Sequence, residues 1–172
     1  MILIDKLNFL LKKTGAELVR FPNSQFKKRK AMFDHYKINK VFDIGANVGQ
    51  YAEDIRELGY TGEIISFEPI KDVFQILERK ASRDKNWKCE NFALGDSDEE
   101  TEINIAGNAA ASSSILEMLP LHLESAPTSK YTGTEKISVK RLDTIFPSIH
   151  KKEDIIYAKI DAQGFEKNIL DG

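Results

Sequence analysis

Asp43, Gly45, Asn47 and Gly49 fall in one short stretch, VFDIGANVGQ at 41–50, where an apolar run stops at an acid and two glycines follow. Glycine permits positive φ and close backbone approach, so such a turn can press against a ligand while the next helix presents its amino terminus. A second acid, Glu68, stands 23 positions after Gly45, where the run IISF ends. In an open parallel sheet ligands bind beyond the carboxyl ends of the strands, and a carboxylate there can accept from ribose hydroxyls. The dinucleotide fingerprint G-x-G-x-x-G needs glycine where this chain has Asn47, and a phosphate-cradling Walker loop needs a lysine after its last glycine. An acid two residues before the first glycine instead suits a ligand with a positive end, because Asp43 can accept from, or lie near, an α-amino group. S-adenosyl-L-methionine combines such a zwitterionic end with a ribose for Glu68. A nicotinamide-dependent dehydrogenase shares Glu68 and is opposed by Asn47.

These residues need strands and helices to position them. KVFDIG reads as a short buried strand, VGQYAEDIRELG as a helix with Tyr51, Ile55 and Leu58 on one face, and GEIISFEP as a second strand. IKDVFQILERKA is a second helix and WKCENFAL a third strand. That alternation predicts an α/β fold, a parallel sheet with right-handed crossovers. ETEINIA and EKISVKRLDTIF then alternate as half-buried strands around a long, small-residue-rich insert at about 106–134. DIIYAKID is a last apolar strand, expected to be covered on both faces, and it runs into Asp161 and the start of a helix.

The 172 residues, 41% hydrophobic and 30% charged, suit one soluble domain at 39–172 behind a helical leader at 1–38. Residues 1–40 carry ten basic residues against three acids, a net +7, while the remainder is −9. The densest patch, FKKRKAMF at 26–33, reads as a solvated helix face, with an anionic polymer or membrane headgroups as the functional alternative. No nucleic-acid partner is expected, and the patch is compatible with peripheral membrane contact. Leu3, Leu7, Leu10 and Leu11 recur at helical spacing, as in a face docked on the domain. No run of about eighteen apolar residues occurs and Asp5 and Lys6 interrupt the first one, so a transmembrane segment and a secretory signal are not expected and a cytoplasmic protein is. Cys89 cannot form an internal disulfide and reads as an inert thiol.

Taken together, VFDIGANVGQYA, IISFEP, NFALGD, SSSIL, VKRLDTI and AKIDAQGFEKNILDG resemble the FkbM-type methyltransferase family, a branch of the class I S-adenosylmethionine-dependent enzymes, from about residue 20 to the last. The resemblance implies a Rossmann-like sheet with helices on both faces. It places the donor on Asp43, Gly45, Asn47 and Gly49, its ribose on Glu68, and its adenine beside Asn91, Ala93 and Asp96. It implies O-methylation of a hydroxyl, often in a saccharide or a saccharide-containing metabolite. The family sheet has seven strands in the order 3-2-1-4-5-7-6, and AKIDAQG matches the fourth. Strands five to seven are therefore not expected here, which sets a catalytically inactive donor-binding fragment or subunit beside an active enzyme. An unpaired edge on the fourth strand would favour a homodimer.

Methyl transfer from a sulfonium is an in-line displacement, so the protein must align the acceptor and take a proton from its hydroxyl. Asp161, at the end of the fourth strand, and Glu166, five residues on, are the candidates for base and substrate clamp. They are also a candidate oxygen site for a divalent cation, although two carboxylates are too few to argue a metal. Glu166 can equally serve the helix dipole. Lys159 shares the strand face of Asp161 and can pair with it. His122 and His150 read as solvated loop histidines, and AAASSSIL as either a source of donors for a substrate or a linker.

Overall fold

The strand Lys40–Ile44 (β1) is buried along its whole length and divides the molecule by simple alternation. Val41 and Asp43 face one side; Phe42 and Ile44 face the other. The structure, a computed structural model, describes Leu11, Thr14 and residues 24–107, 110, 112–116 and 130–172. Leu3, Leu7, Leu10, His122 and most of the insert lie outside the described residues.

β1 is preceded by helix α1 (Ser24–Tyr36) and followed by α2 (Gln50–Glu57), β2 (Glu63–Phe67), α3 (Lys71–Ala81) and β3 (Trp87–Glu90). After β3 come β4 (Ala93–Gly95), β5 (Glu99–Ala106), β6 (Tyr131–Arg141), α4 (Leu142–Ile149), β7 (Ile156–Ile160) and α5 (Glu166–Asp171). Four parallel strands form the main sheet in the order β3-β2-β1-β7. The chain is therefore α/β, with the last strand joined to the first after the intervening elements have crossed over. A smaller sheet, β4-β6-β5, pairs β4 with β6 in parallel and β5 with β6 antiparallel.

Helices cover both faces, as expected. On one, Phe33 of α1, Ala52 and Ile55 of α2 and Leu77 of α3 pack on Val41, Ile64 and Trp87. On the other, Phe42, Ile44, Ile65 and Phe67 meet Ile169 of α5 and the half-buried Leu142, Ile145 and Phe146 of α4. A fully buried leucine or isoleucine stabilises by about 1.5–3 kcal/mol, so the fully buried Ile55, Ile64 and Leu77 are main supports of the first layer. A third cluster, Ile70, Val73, Ile103, Ile137 and Val139, seats the small sheet over the start of α3. Below the sheet the buried Lys40 ammonium is held by Asp154 at 2.6 Å, Glu63 at 3.0 Å and the carbonyl of Ile149. His150 stacks on Phe146 in the same region.

Four segments differ from the sequence expectation. WKCENFAL is not one strand: β3 ends at Glu90 and β4 begins at Ala93 in the other sheet, because the Asn91 amide donates to the carbonyls of Glu68 and Pro69, both at 2.9 Å, and the chain turns there. EKISVKRLDTIF changes from strand to helix at Leu142, where the apolar Leu142, Ile145 and Phe146 take helical spacing against the second face. The expected insert overlaps β6, which begins at Tyr131. β7 is half-buried rather than covered, with Ala158 exposed, since it pairs on one side with β1 and is the last strand of the described sheet. Among the described residues no helix is long and apolar enough to cross a membrane.

Gly45 and Gly59 both adopt positive φ, 70° and 85°, but a Cβ at Gly59 meets nothing within 4 Å, whereas one at Gly45 overlaps the backbone oxygen of Asp161. Gly59→Ala therefore costs only the left-handed backbone, about 1–2 kcal/mol. Gly45→Ala costs clearly more, because β7 must move away from β1. Urea unfolding of the two variants reads the difference directly, and equal losses would contradict the close approach.

Candidate functional site

The turn that follows β1 is built on three left-handed residues, Gly45 (φ 70°), Asn47 (φ 50°) and Gly49 (φ 85°). All five of its amides are engaged within the protein. Gly45 and Ala46 donate to the carbonyl of Phe67, and Gly49 donates to that of Ala46. Asn47 N–H donates to Glu68 Oε2 at 2.9 Å, and Val48 N–H to Asn47 Oδ1 at 2.8 Å. A pyrophosphate-binding turn leaves such amides open for its ligand; this one does not. The glycines also answer to protein rather than ligand: Gly45 lies against the end of β7, and a Cβ on Gly49 would come within 2.8 Å of the Trp87 ring.

Beneath the turn runs a row of polar side chains across the sheet, fixed by the register that sets Asp43 beside both Ser66 and Lys159. Trp87 Nε1 donates to Ser66 Oγ at 3.0 Å, and Ser66 leans on Asp43 Oδ2 at 3.5 Å. Lys159 Nζ lies 3.1 Å from Asp43 Oδ1 and donates to the carbonyls of Gly45 at 2.8 Å and Ile44 at 3.3 Å. Asp43 is fully buried. Burial pushes its carboxyl above the ordinary range, against the pull of Lys159 and Ser66.

Above the turn opens a cavity of about 440 Å³. Gly45, Ala46 and Asn47 line it, with Glu68 and Ile70 beyond β2, Ala93 and Leu94 of β4, and Lys159 and Asp161 at β7. Glu68 is 5% exposed and accepts one backbone N–H on each oxygen, from Asn47 and from Ile70, both at 2.9 Å. Burial pushes its carboxyl up to about 7, although those two amides and Lys159 oppose the rise. Asp161 is half-exposed, accepts from Gln163 Nε2 at 3.0 Å and lies 3.9 Å from Lys159.

The other candidates stand off the cavity wall. Asp43 supports the turn from behind, and Gly49 begins α2 against Trp87. Asn91 is exposed and ties down the end of β2. Asp96 is exposed and accepts from Asn168 at 2.9 Å; of the three adenine-side candidates, Ala93 lines the cavity. Glu166 is turned inward, its Oε1 accepting from the amides of Ala162 at 3.0 Å and Gly164 at 3.2 Å. Partial burial raises its carboxyl and these backbone donors, acting together, bring it below its ordinary value. It clasps the turn after β7 and is not among the residues that line the cavity. Among the described residues no three His, Cys, Asp or Glu side chains gather to hold a metal. Cys89 is half-buried, and burial with Glu78 and Glu90 nearby pushes its thiol up to about 11, away from nucleophilic use.

Ser113 and Ser114 of AAASSSIL line the cavity but bond to the protein. Ser113 Oγ accepts from the amide of Ala106 at 2.9 Å, and Ser114 Oγ donates to the carbonyl of Gln163 at 3.0 Å. Ser114 pins the insert to the turn after β7, and Ser113 ties it to the end of β5. Arg29, Tyr51 and Asp54 also line the cavity. Tyr51 and Asp54 share a face of α2 by their i, i+3 spacing, which is the signal that the sequence carries for them; Arg29 reads in sequence as part of a solvated face.

The sequence profile of the family described as methyltransferase FkbM domain matches residues 43–172. Among solved structures the chain is similar to a methyltransferase FkbM from Methylobacillus flagellatus KT, with 15% sequence identity and a TM-score of 0.48 over 78% of this chain. The match spans 28% of that longer chain. No curated protein matches.

Glu68 links stability to pH. Its folded pKa, raised from 4.5 to about 7, means that the folded state holds the proton more tightly than the unfolded one. The resulting stabilisation is complete below about 4.5 and is lost as pH rises through about 7. Wild type should therefore lose stability relative to Glu68→Gln across that window in denaturant titrations, and a pH-independent difference would contradict the assignment.

Proposed function

Because the chain belongs to the methyltransferase FkbM domain family, we propose that it is an S-adenosyl-L-methionine-dependent O-methyltransferase, with a hydroxyl of a saccharide or a saccharide-containing metabolite as acceptor. The observation that carries the donor is Glu68, a buried carboxylate on the cavity wall at the end of β2. Each of its oxygens accepts one amide and keeps a lone pair for a ribose hydroxyl. The apolar wall of Ile70, Ala93, Leu94 and Ile103 suits a heterocycle. The fully engaged amides of the 45–49 turn weigh against a pyrophosphate and so against a nicotinamide dinucleotide.

The bound donor would supply a methyl group on a positively charged sulfur, open to in-line attack. The chain's own part is to hold the acceptor and manage its proton. Asp161 is the cavity carboxylate with an exposed side chain, and Gln163 fixes one of its oxygens at 3.0 Å. The other oxygen is available to take the hydroxyl proton as the acceptor oxygen bonds to carbon. Lys159 Nζ lies 3.9 Å from that second oxygen. Glu166 holds the Ala162 and Gly164 amides, which keeps Asp161 in place. The saccharide acceptor is what the family resemblance implies.

Calorimetry with S-adenosylhomocysteine and with NADH tests the donor: the first should bind and the second should not. Asp161→Asn should keep the affinity for S-adenosylhomocysteine and lower methyl transfer to a hydroxyl acceptor by about 10²- to 10⁴-fold. Equal loss of binding and transfer would move Asp161 from the acceptor to the donor.

A further inference from the structure

Two cations line the cavity, Lys159 and Arg29, and they are not alike. Lys159 is committed inside the protein: its ammonium pairs with Asp43 at 3.1 Å and donates to the Gly45 carbonyl at 2.8 Å and the Ile44 carbonyl at 3.3 Å. Arg29 comes from α1, and its guanidinium lies over the Tyr51 ring at 4.9 Å and near the Phe26 ring at 5.8 Å. Among the described residues no carboxylate lies within ion-pair distance of it, although its neighbour Lys30 pairs with Asp34 at 2.7 Å. Stacking on a ring engages the flat face of a guanidinium and leaves its N–H donors directed outward in the plane, a fork that matches a carboxylate.

Asp54, from the same face of α2 as Tyr51, also lines the cavity and has no ion-pair partner among the described residues. Lys159 lies 6.0 Å from the same Tyr51 ring, which sets this group of side chains beside the Gly45 turn. A guanidinium and a carboxylate that both line the cavity, neither with an ion-pair partner among the described residues, are the two charges that a zwitterion needs. Glu68 and the apolar residues beyond β2 form the remainder of the cavity.

We propose that Arg29 binds the carboxylate of the donor's amino-acid end, with Asp54 facing its ammonium, so that α1 completes the donor site. The inference rests on the S-adenosyl-L-methionine reading above and extends it to a residue outside the matched 43–172. It gives the basic patch of α1 one member with a binding role, distinguished from Lys27, Lys28 and Lys30 by its partial burial.

The test compares S-adenosylhomocysteine with 5′-methylthioadenosine, which keeps the adenosine and lacks the amino-acid end. Calorimetry is run on wild type, Arg29→Gln and Arg29→Lys, with thermal unfolding of each ligand-free protein as the folding control. Arg29→Gln should weaken S-adenosylhomocysteine by about 10- to 100-fold, the scale of a charged hydrogen-bonded contact, and change 5′-methylthioadenosine by less than about two-fold. Arg29→Lys should fall between, since it keeps the charge and loses the fork. Unchanged S-adenosylhomocysteine affinity in Arg29→Gln would overturn the proposal and leave the donor reading standing, with an anionic acceptor as the group Arg29 meets. Equal weakening of both ligands would overturn it as well, assigning Arg29 to the packing of α1. If wild type bound neither ligand, the donor reading itself would fail and the proposal with it.

Discussion

The contact between Lys159 and Asp43 holds the site together. It joins the carboxyl ends of β7 and β1 at 3.1 Å, under a carboxylate that is fully buried. The same ammonium takes the carbonyls of Ile44 and Gly45, so one side chain fixes both a neighbouring strand and the first residues of the turn. Ser66 and Trp87 extend the row across the sheet, and Trp87 in turn fills the space left by Gly49. Strand alternation makes this an all-or-none arrangement, because a one-residue slip would turn Asp43 and Lys159 to opposite faces. Removing one partner of such a buried pair typically costs about 3–5 kcal/mol, since the other charge stays behind without compensation.

From that anchor the cavity follows. The turn directs the Asn47 amide at Glu68, and Glu68 is thereby held at the end of β2. Low exposure then raises the carboxyl of Glu68 to about 7, so that its protonation responds to pH in the neutral range. On the opposite side the turn after β7 is shaped by Gln163 and Gly164 in left-handed conformations and clasped by Glu166, with Asp161 half-exposed at the wall. The insert closes on this turn through Ser114. The chain thus separates residues that build the site from residues that face the cavity.

Much of this could be read from the sequence where it depends on local period. The alternation of strand and helix through residue 81, and the placing of Asp43 and Glu68 at strand ends, follow from apolar runs ended by an acid. What could not be read depends on distant partners. Gly45 is glycine because Asp161 lies against it, and Gly49 because Trp87 does, yet each partner is tens of residues away. Glu166 reads in sequence as a candidate base or substrate clamp, or as a partner of the helix dipole, and its backbone donors appear only once the turn is folded. WKCENFAL is uniformly strand-like, and its division between two sheets is decided by the Asn91 side chain and by pairing with β6. Arg29 sits in a run of four basic residues and is set apart only by the Tyr51 ring beneath it.

The central claim is that Lys159 and Asp43 hold the turn in its left-handed shape. Amide hydrogen exchange in Lys159→Met measures it most directly, with the Val139 amide of β6 as internal reference. The account predicts that the Gly45 and Ala46 amides, which donate to Phe67, exchange about 100-fold faster relative to Val139 than in wild type, the scale of a lost buried pair. Unchanged relative exchange at Gly45 and Ala46 would contradict it, since the turn would then be held by its own backbone bonds.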